Sequence, residues 1–182
     1  MRLRFCAGAV YFGKRFLLYW QKSFFFFYAM IRNIGLVAHD SRKEELVSWV
    51  KFNAGVLKTC TLYCTGTTGR LIREALGTVL EESEIPEVNC LLSGPLGGDF
   101  EIGAMIAEGK VDMLVFFCDN LIMQGHQNDV MGLVRLASLY NVPFATNRST
   151  ADFIISSPLF GSEEYERIIP SCIESYKNRK LG

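Results

Sequence analysis

The chain has 182 residues, enough for one domain with a sizeable core, and 49% of them are apolar against 21% charged. Formal net charge is zero, but residues 1–29 hold Arg2, Arg4, Lys14, Arg15 and Lys22 and no acid, so the remainder carries 14 basic residues against 19 acids. That balance excludes a broad basic face for nucleic acid and a disordered chain, and any anion must be held at a local site.

The first 29 residues form a basic, aromatic extension unlike the rest. Its apolar pieces, FLLYW and FFFFYAMI, are too short to span a bilayer, because Lys14, Arg15, Gln21 and Lys22 interrupt them. They are also too aromatic for a good signal-peptide core, and no small-residue cleavage site follows. We expect translation to begin at Met30 and residues 30–182 to form the domain, with 1–29 as upstream sequence. A membrane-surface segment and an export signal are the competing readings. The cysteines at 6, 60, 64, 90, 118 and 172 make no C-x-x-C pair. Cys60, Cys64, Cys90 and Cys118 lie in or beside apolar runs and read as buried, reduced thiols.

After Met30 the pattern alternates. Residues 34–38 (IGLVA) are a short apolar run, as in a strand buried on both faces. His39 and Asp40 follow, and Ser41-Arg-Lys-Glu44 fits a capping box with Ser41 as N-cap. Leu46, Val47, Trp49 and Val50 give that helix an apolar side, and Asn53-Ala-Gly55 ends it. A second strand is expected over 59–64, running into Thr65-Gly-Thr-Thr-Gly69 and a helix. An acidic connector, 77–87, leads to a third strand at 88–92 that ends in Ser93-Gly-Pro-Leu-Gly-Gly-Asp99. A helix over 102–108 is stopped by Gly109. The fourth strand, 113–118 (MLVFFC), is the most apolar and is expected at the centre of the sheet. A loop at 119–128, a helix over 130–140, a fifth strand at 142–145, a short helix after 146–150 and a last helix over 172–180 complete the chain.

Five short strands alternating with helices predict an α/β fold: a doubly wound, five-stranded, mostly parallel sheet with helices on both faces. Ligands of such sheets bind beyond the carboxyl ends of the strands. Every expected strand here ends in a polar or glycine-rich segment at that edge, so these distant segments should converge.

Thr65–Gly69 opens a helix, where amide groups, hydroxyls and the positive helix end can seat an anion. It lacks the P-loop lysine and the dinucleotide glycine spacing, so a compact phosphate suits it better than a nucleotide. A plain N-cap with turn glycines would look the same. Lys43 opposes the dipole in the first turn of its helix, which makes sense beside an anion, although a solvated lysine reads equally well. Asp99 heads another helix, either as a cap or as a general base over a carbonyl compound. His39 and His126, the two histidines, both fall at strand ends, beside Asp40 and beside Asp119 and Asp129. No ligand set has metal spacing, and no metal is expected. Together these groups suit proton abstraction next to a carbonyl in a small phosphorylated substrate.

At this point four segments resemble the methylglyoxal synthases: LVAHDSRK at 36–43, YCTGTTGRLI at 63–72, LLSGPLGGDFEIGAMIAEGKVDMLVFF at 91–117 and LVRLASLYNVPFATNRSTADFI at 133–154. The resemblance runs from about Met30 to the C-terminus, and Ser-Gly-Pro-x-Gly-Gly-Asp is its most specific part. It implies that Asp99 is the catalytic base and acid, with His126 and Asp129 completing the catalytic set. It implies substrate and phosphate contacts from His39, Lys43, Thr65, Gly66, Thr67, Thr68, Ser93, Gly94 and His126. Asp40 and Asp119 resemble accessory carboxylates, and Arg179 resembles an arginine that reaches a neighbouring subunit's phosphate site. The family is typically a cytoplasmic homohexamer that needs no cofactor, acts on dihydroxyacetone phosphate and is inhibited by inorganic phosphate; neither nucleic acid nor membrane is an expected partner. The rival is a non-catalytic phosphate- or nucleotide-binding module of the same superfamily, which would need the threonine-glycine loop but not Asp99, His126 and Asp129 together. One segment departs from the family: Asp119-Asn-Leu and Gly125-His126-Gln-Asn-Asp129 stand where synthases read Asp-Pro-Leu and Pro-His-Asp-Pro-Asp. Without those prolines the loop should be less rigid. The connector 77–87 is longer than the family's and is expected at the surface, away from the motifs.

Overall fold

The computed structural model describes residues 33–121 and 127–179. The extension 1–29, the expected start at Met30 and Cys6 lie outside them, as does His126.

Strand β1 (Asn33–Ala38) leads through a 3-10 turn at Asp40–Arg42 into helix α1 (Lys43–Phe52) and a single turn, α2 (Ala54–Leu57). Strand β2 (Thr61–Cys64) runs into α3 (Gly66–Leu76). Strand β3 (Val88–Cys90) passes a 3-10 turn at Gly94–Leu96 into α4 (Gly98–Ala107). Strand β4 (Met113–Phe117), α5 (Gln127–Leu139), β5 (Phe144–Ala145), α6 (Arg148–Ile155) and α7 (Ser171–Lys177) follow.

The strands form one sheet in the order β3-β2-β1-β4-β5, and every pairing is parallel. The doubly wound α/β expectation holds. Side chains of β4 alternate between two cores. Met113, Val115 and Phe117 pack with Ile34 and Leu36 of β1, Leu46 and Trp49 of α1, Ile72 and Leu76 of α3, and Ala151 of α6. Leu114 and Phe116 face the other way, with Val37, against Ile102 and Ile106 of α4 and Leu133 and Ala137 of α5. Each fully buried large side chain contributes roughly 1.5–3 kcal/mol, so both helical layers are held by the same strand. The middle of the sheet falls to β1, however, and not to β4 as its apolarity suggested. Apolarity reports burial on two faces, which any interior strand has, and carries no rank within the order.

The order turns around between β1 and β4. Connections leaving these strands go to opposite faces, and a crevice opens beyond their carboxyl ends. His39 N–H donates to the Phe117 carbonyl at 3.2 Å, extending the β1–β4 ladder to the crevice edge.

Several local expectations change. The capping box does not form: α1 starts at Lys43, its N-cap Arg42 makes no side-chain cap, and the Ser41 hydroxyl bonds elsewhere. Strands β2, β3 and β5 are shorter than their apolar runs, and Asn53 ends α1 as expected but also opens the single turn α2. Cys90 is exposed, whereas Cys60, Cys64 and Cys118 are buried free thiols as expected. The acidic connector folds into a 3-10 turn, Glu82–Glu84, held by Glu84 to Lys58 at 2.7 Å.

Candidate active site

Strand exits β1, β2 and β3 and the head of α4 meet at one open cleft. The exit of β1 supplies His39, Asp40 and Lys43, that of β2 supplies Thr65, Gly66, Thr67 and Thr68, and that of β3 supplies Ser93, Gly94 and Pro95. Asp99 enters from α4, and Val37, Ala38 and Phe116 complete the lining. These three apolar residues were not legible as site residues, because a cleft-lining position inside an apolar run looks like core.

Asp99 is the second residue of α4, 2% exposed, in the first turn where the helix dipole favours a carboxylate. Its placement depends on glycine. Gly97 has φ +108°, and a Cβ on Gly98 would lie 2.0 Å from the Leu92 carbonyl oxygen. The Gly98 N–H donates to Ser93 O at 3.0 Å, and Leu92 N–H donates to Glu101 Oε2 at 2.8 Å. Glu101, which the sequence did not single out, thus ties the end of β3 to the helix that carries Asp99.

The threonine-glycine turn is fastened to the same segment. Gly66 has φ +37°, and its Cβ position lies 2.8 Å from Ser93 Cα, so a larger residue there would push the two loops apart. Gly66 N–H donates to the Leu91 and Leu92 carbonyls at 3.1 and 3.0 Å, and Thr68 N–H donates to Thr65 O at 3.0 Å. Two of the amides expected to seat an anion are therefore engaged within the protein. Lys43 Nζ donates to Thr67 Oγ1 at 2.5 Å and pairs with Asp40 Oδ1 at 2.5 Å. Thr65 and Thr68 are buried beside it. Lys43 in a first helical turn is thus explained by partners on both sides.

His39 is buried, with its ring edge-on to Phe116 at 5.1 Å and 81°. Its Nδ1 accepts the Asp119 backbone N–H at 2.8 Å, which puts the proton of the neutral ring on Nε2. Asp119 stands behind His39 and does not line the cleft; its Oδ2 accepts from Ser41 Oγ at 2.5 Å and its Oδ1 from Leu121 N at 2.9 Å. Asp129 is half-buried in the first turn of α5, outside the cleft lining. Arg179 is exposed beyond α7, with its guanidinium 3.7 Å from the Tyr176 ring centroid, and does not reach this chain's own cleft. Burial pushes the Cys118 thiol up to about 11; the nearby Asp99 charge adds to this, while Arg42 opposes it. Cys118 is therefore a protonated neighbour at neutral pH, not a nucleophile.

Such an arrangement offers a buried carboxylate, an oriented imidazole and a cationic, hydroxyl-rich seat around one small cavity. Among the described residues no cluster of His, Cys, Asp and Glu has the arrangement of a metal site.

The MGS-like domain family matches residues 45–146. A protein named methylglyoxal synthase from Leptospira interrogans (serovar copenhageni) is 54% identical over 141 residues, covering 78% of this chain and 89% of the relative. One from Yersinia pestis (strain Pestoides F), also named methylglyoxal synthase, is 51% identical over 132 residues, covering 72% and 80%. The crystal structure of methylglyoxal synthase from Elizabethkingia anophelis is similar, with a TM-score of 0.71 and 44% identity, over 83% of this chain and 93% of that one.

Proposed function

The chain belongs to the methylglyoxal synthase family, and on that premise we propose that it eliminates phosphate from dihydroxyacetone phosphate to give methylglyoxal, with Asp99 as the base. The observation that carries the assignment is the shared cleft: Asp99 is buried on one side, with Lys43 and Thr65 through Thr68 on another.

Lys43, Thr65, Gly66, Thr67, Thr68, Ser93 and Gly94 hold the phosphate end of the substrate. Asp99 takes a proton from the carbon that bears the free hydroxyl. The electron pair moves onto the carbonyl oxygen, and His126 donates a hydrogen bond to the resulting enediolate, with Asp129 supporting it. His39 contacts the substrate through its Nε2–H, and Asp40 and Asp119 are accessory to Lys43 and His39 respectively. Next, the hydroxyl on the deprotonated carbon gives its proton to the departing phosphate and becomes the aldehyde carbonyl, the enediolate C–C pair shifts to a new double bond with the adjacent carbon, and the bond from that carbon to the phosphate oxygen breaks. The seat favours this step by holding that bond out of the enediolate plane, where it overlaps the π system. Asp99 returns its proton to the oxygen of the former ketone, inorganic phosphate departs, and the enol tautomerises to methylglyoxal. Product and phosphate together have the oxidation level of the substrate, so the reaction consumes no electrons.

The finer assembly is proposed as well: a cytoplasmic homohexamer in which Arg179 reaches a neighbour's phosphate seat, with inorganic phosphate competing as an inhibitor. Exposed Leu92, Leu96 and Phe100 beside the Ser93–Asp99 segment support a covering subunit. No described helix is long and apolar enough to cross a membrane.

One assay tests the chemistry. Purified protein should release methylglyoxal and phosphate in equal amounts from dihydroxyacetone phosphate. Asp99→Asn should lower kcat by about 10²–10⁴-fold while phosphate affinity, read by calorimetry, stays within about 2-fold. Wild-type-like turnover in that variant would remove Asp99 from the base role.

A further inference from the structure

We infer that Ser41 is a positioning residue for this reaction, acting through Asp119 on His39. The inference rests on the elimination proposed above, in which His39 contacts the substrate. Ser41 has the position of a helix cap in sequence, yet its hydroxyl caps nothing: α1 begins two residues later, and Ser41 Oγ donates to Asp119 Oδ2, 78 residues away. The bond joins the β1 exit to the β4 exit.

What it holds is the donor that sets His39. The β1–β4 pairing ends at Ala38 and Phe117, so the backbone of Asp119 lies past the ladder. Arg42 Nη1 steadies the preceding carbonyl, Cys118 O, at 3.3 Å, and Leu121 N–H donates to Asp119 Oδ1 at 2.9 Å. Ser41 takes the other carboxylate oxygen and so fixes the rotation of this turn about β1. The Asp119 N–H then meets His39 Nδ1 at 2.8 Å, and that contact selects the Nε2–H tautomer and the ring's tilt against Phe116. With Ser41 gone, the carboxylate loses its hydroxyl partner from the β1 exit. The N–H loses its fixed aim, and both tautomers become accessible.

Two histidines in the whole chain make the test direct. Long-range proton–nitrogen NMR of the imidazole rings in the full chain, with His126→Gln to assign the signals, should show His39 as the Nε2–H tautomer in the wild type. In Ser41→Ala its nitrogen shifts should move toward the average of two tautomers, and Ser41→Thr, which keeps the hydroxyl, should restore them. In kinetics, Ser41→Ala should lower kcat about 10-fold with KM within about 2-fold, and Ser41→Thr should recover most of the loss. Thermal midpoints of both variants should stay within about 2 °C of wild type, since the hydroxyl is exposed. His39 shifts unchanged in Ser41→Ala overturn the inference, and so do moved shifts with unchanged kcat. A wild-type chain that made no methylglyoxal would remove the elimination reading alone, because the ring spectrum still decides whether Ser41 orients His39.

Discussion

Cys118 stands one residue past β4, and its Sγ–H donates back to the Phe116 carbonyl at 3.4 Å. Burial raises its thiol from 9.0 to about 11, and burial drives the Cys64 thiol higher still, with Cys90 adding and Arg73 opposing. Both groups keep their protons where the same thiols in an unfolded chain would ionise. Between pH 9 and about 11 the unfolded state therefore binds fewer protons than the folded one, and stability falls as pH rises. This contribution is fully present below pH 9 and is lost through that window. Urea midpoints should decline above about pH 9, and the decline should be shallower in Cys118→Ala, after allowing for its lower baseline. An identical slope in the variant would detach the pH effect from this thiol. Most of the residues that line the cleft were legible in the sequence: His39, Asp40, Lys43, Thr65 through Thr68, Ser93, Gly94 and Asp99. Each is polar or glycine at the end of an apolar run, and that contrast is visible without a structure. Phe116 and Val37 carry no such contrast, and the Glu101 bond to Leu92 N is a pairing that composition does not encode.

Elements were legible where the signal was periodic and local. The helix after Thr65–Gly69 and the strands expected over 34–38 and 113–118 follow from apolar spacing and glycines, whereas the helix expected over 102–108 begins four residues earlier, at Gly98. The edge strands β3 and β5 were over-read, because an edge has one neighbour and pairing stops where that neighbour's ladder stops. The capping box failed for a different reason: the better partner of Ser41 lies across the sheet, beyond any sequence window. Packing between elements makes the next prediction. Helix α3 crosses the paired strands β2 and β3 at Gly69, where a Cβ would lie 2.6 Å from Cys90 Sγ and 3.0 Å from Cys64 Cβ. Cys64 and Cys90 are register partners, so the β2–β3 ladder holds both backbones in place beneath α3. Gly69→Ala should cost about 1–3 kcal/mol of stability despite the better helix propensity of alanine. In a Cys90→Ala background, which removes the nearer atom, the cost should shrink by more than half in a double-mutant cycle. A stabilising Gly69→Ala would show that α3 is not seated this closely on the sheet.

At the scale of the molecule, the parallel sheet brings four distant segments to one edge, and the reversal of strand order between β1 and β4 opens room between them. Topology alone predicted a convergence of all five strand exits; those of β1, β2 and β3 line the cleft, whereas 146–150 after β5 and Asp119 after β4 do not. Topology gave no geometry for Arg179 within one chain, and that residue is exposed away from its own cleft. The segment 92–100 places Ser93, Gly94 and Asp99 toward the cleft, while Leu96 and Phe100 stay 72% and 63% exposed. A neighbouring subunit seated on those side chains would bury the apolar rim, close the cleft against water and bring its own C-terminus within reach of the seat. If Arg179 acts in that way, each site is built from two chains. Arg179→Ala then damages the site of a neighbour, whereas Asp99→Asn damages its own. Either variant alone should be impaired, Asp99→Asn in kcat and Arg179→Ala in KM for the substrate. Co-expressed chains of the two variants form mixed assemblies, and in these some sites draw Asp99 from an Arg179→Ala chain and Arg179 from an Asp99→Asn chain. Such sites are wild type in composition, so the KM of the mixture should contain a component near the wild-type value. Mixed assemblies, verified by differently tagged chains, whose kinetics are only the sum of the two parents would confine the phosphate seat to a single chain.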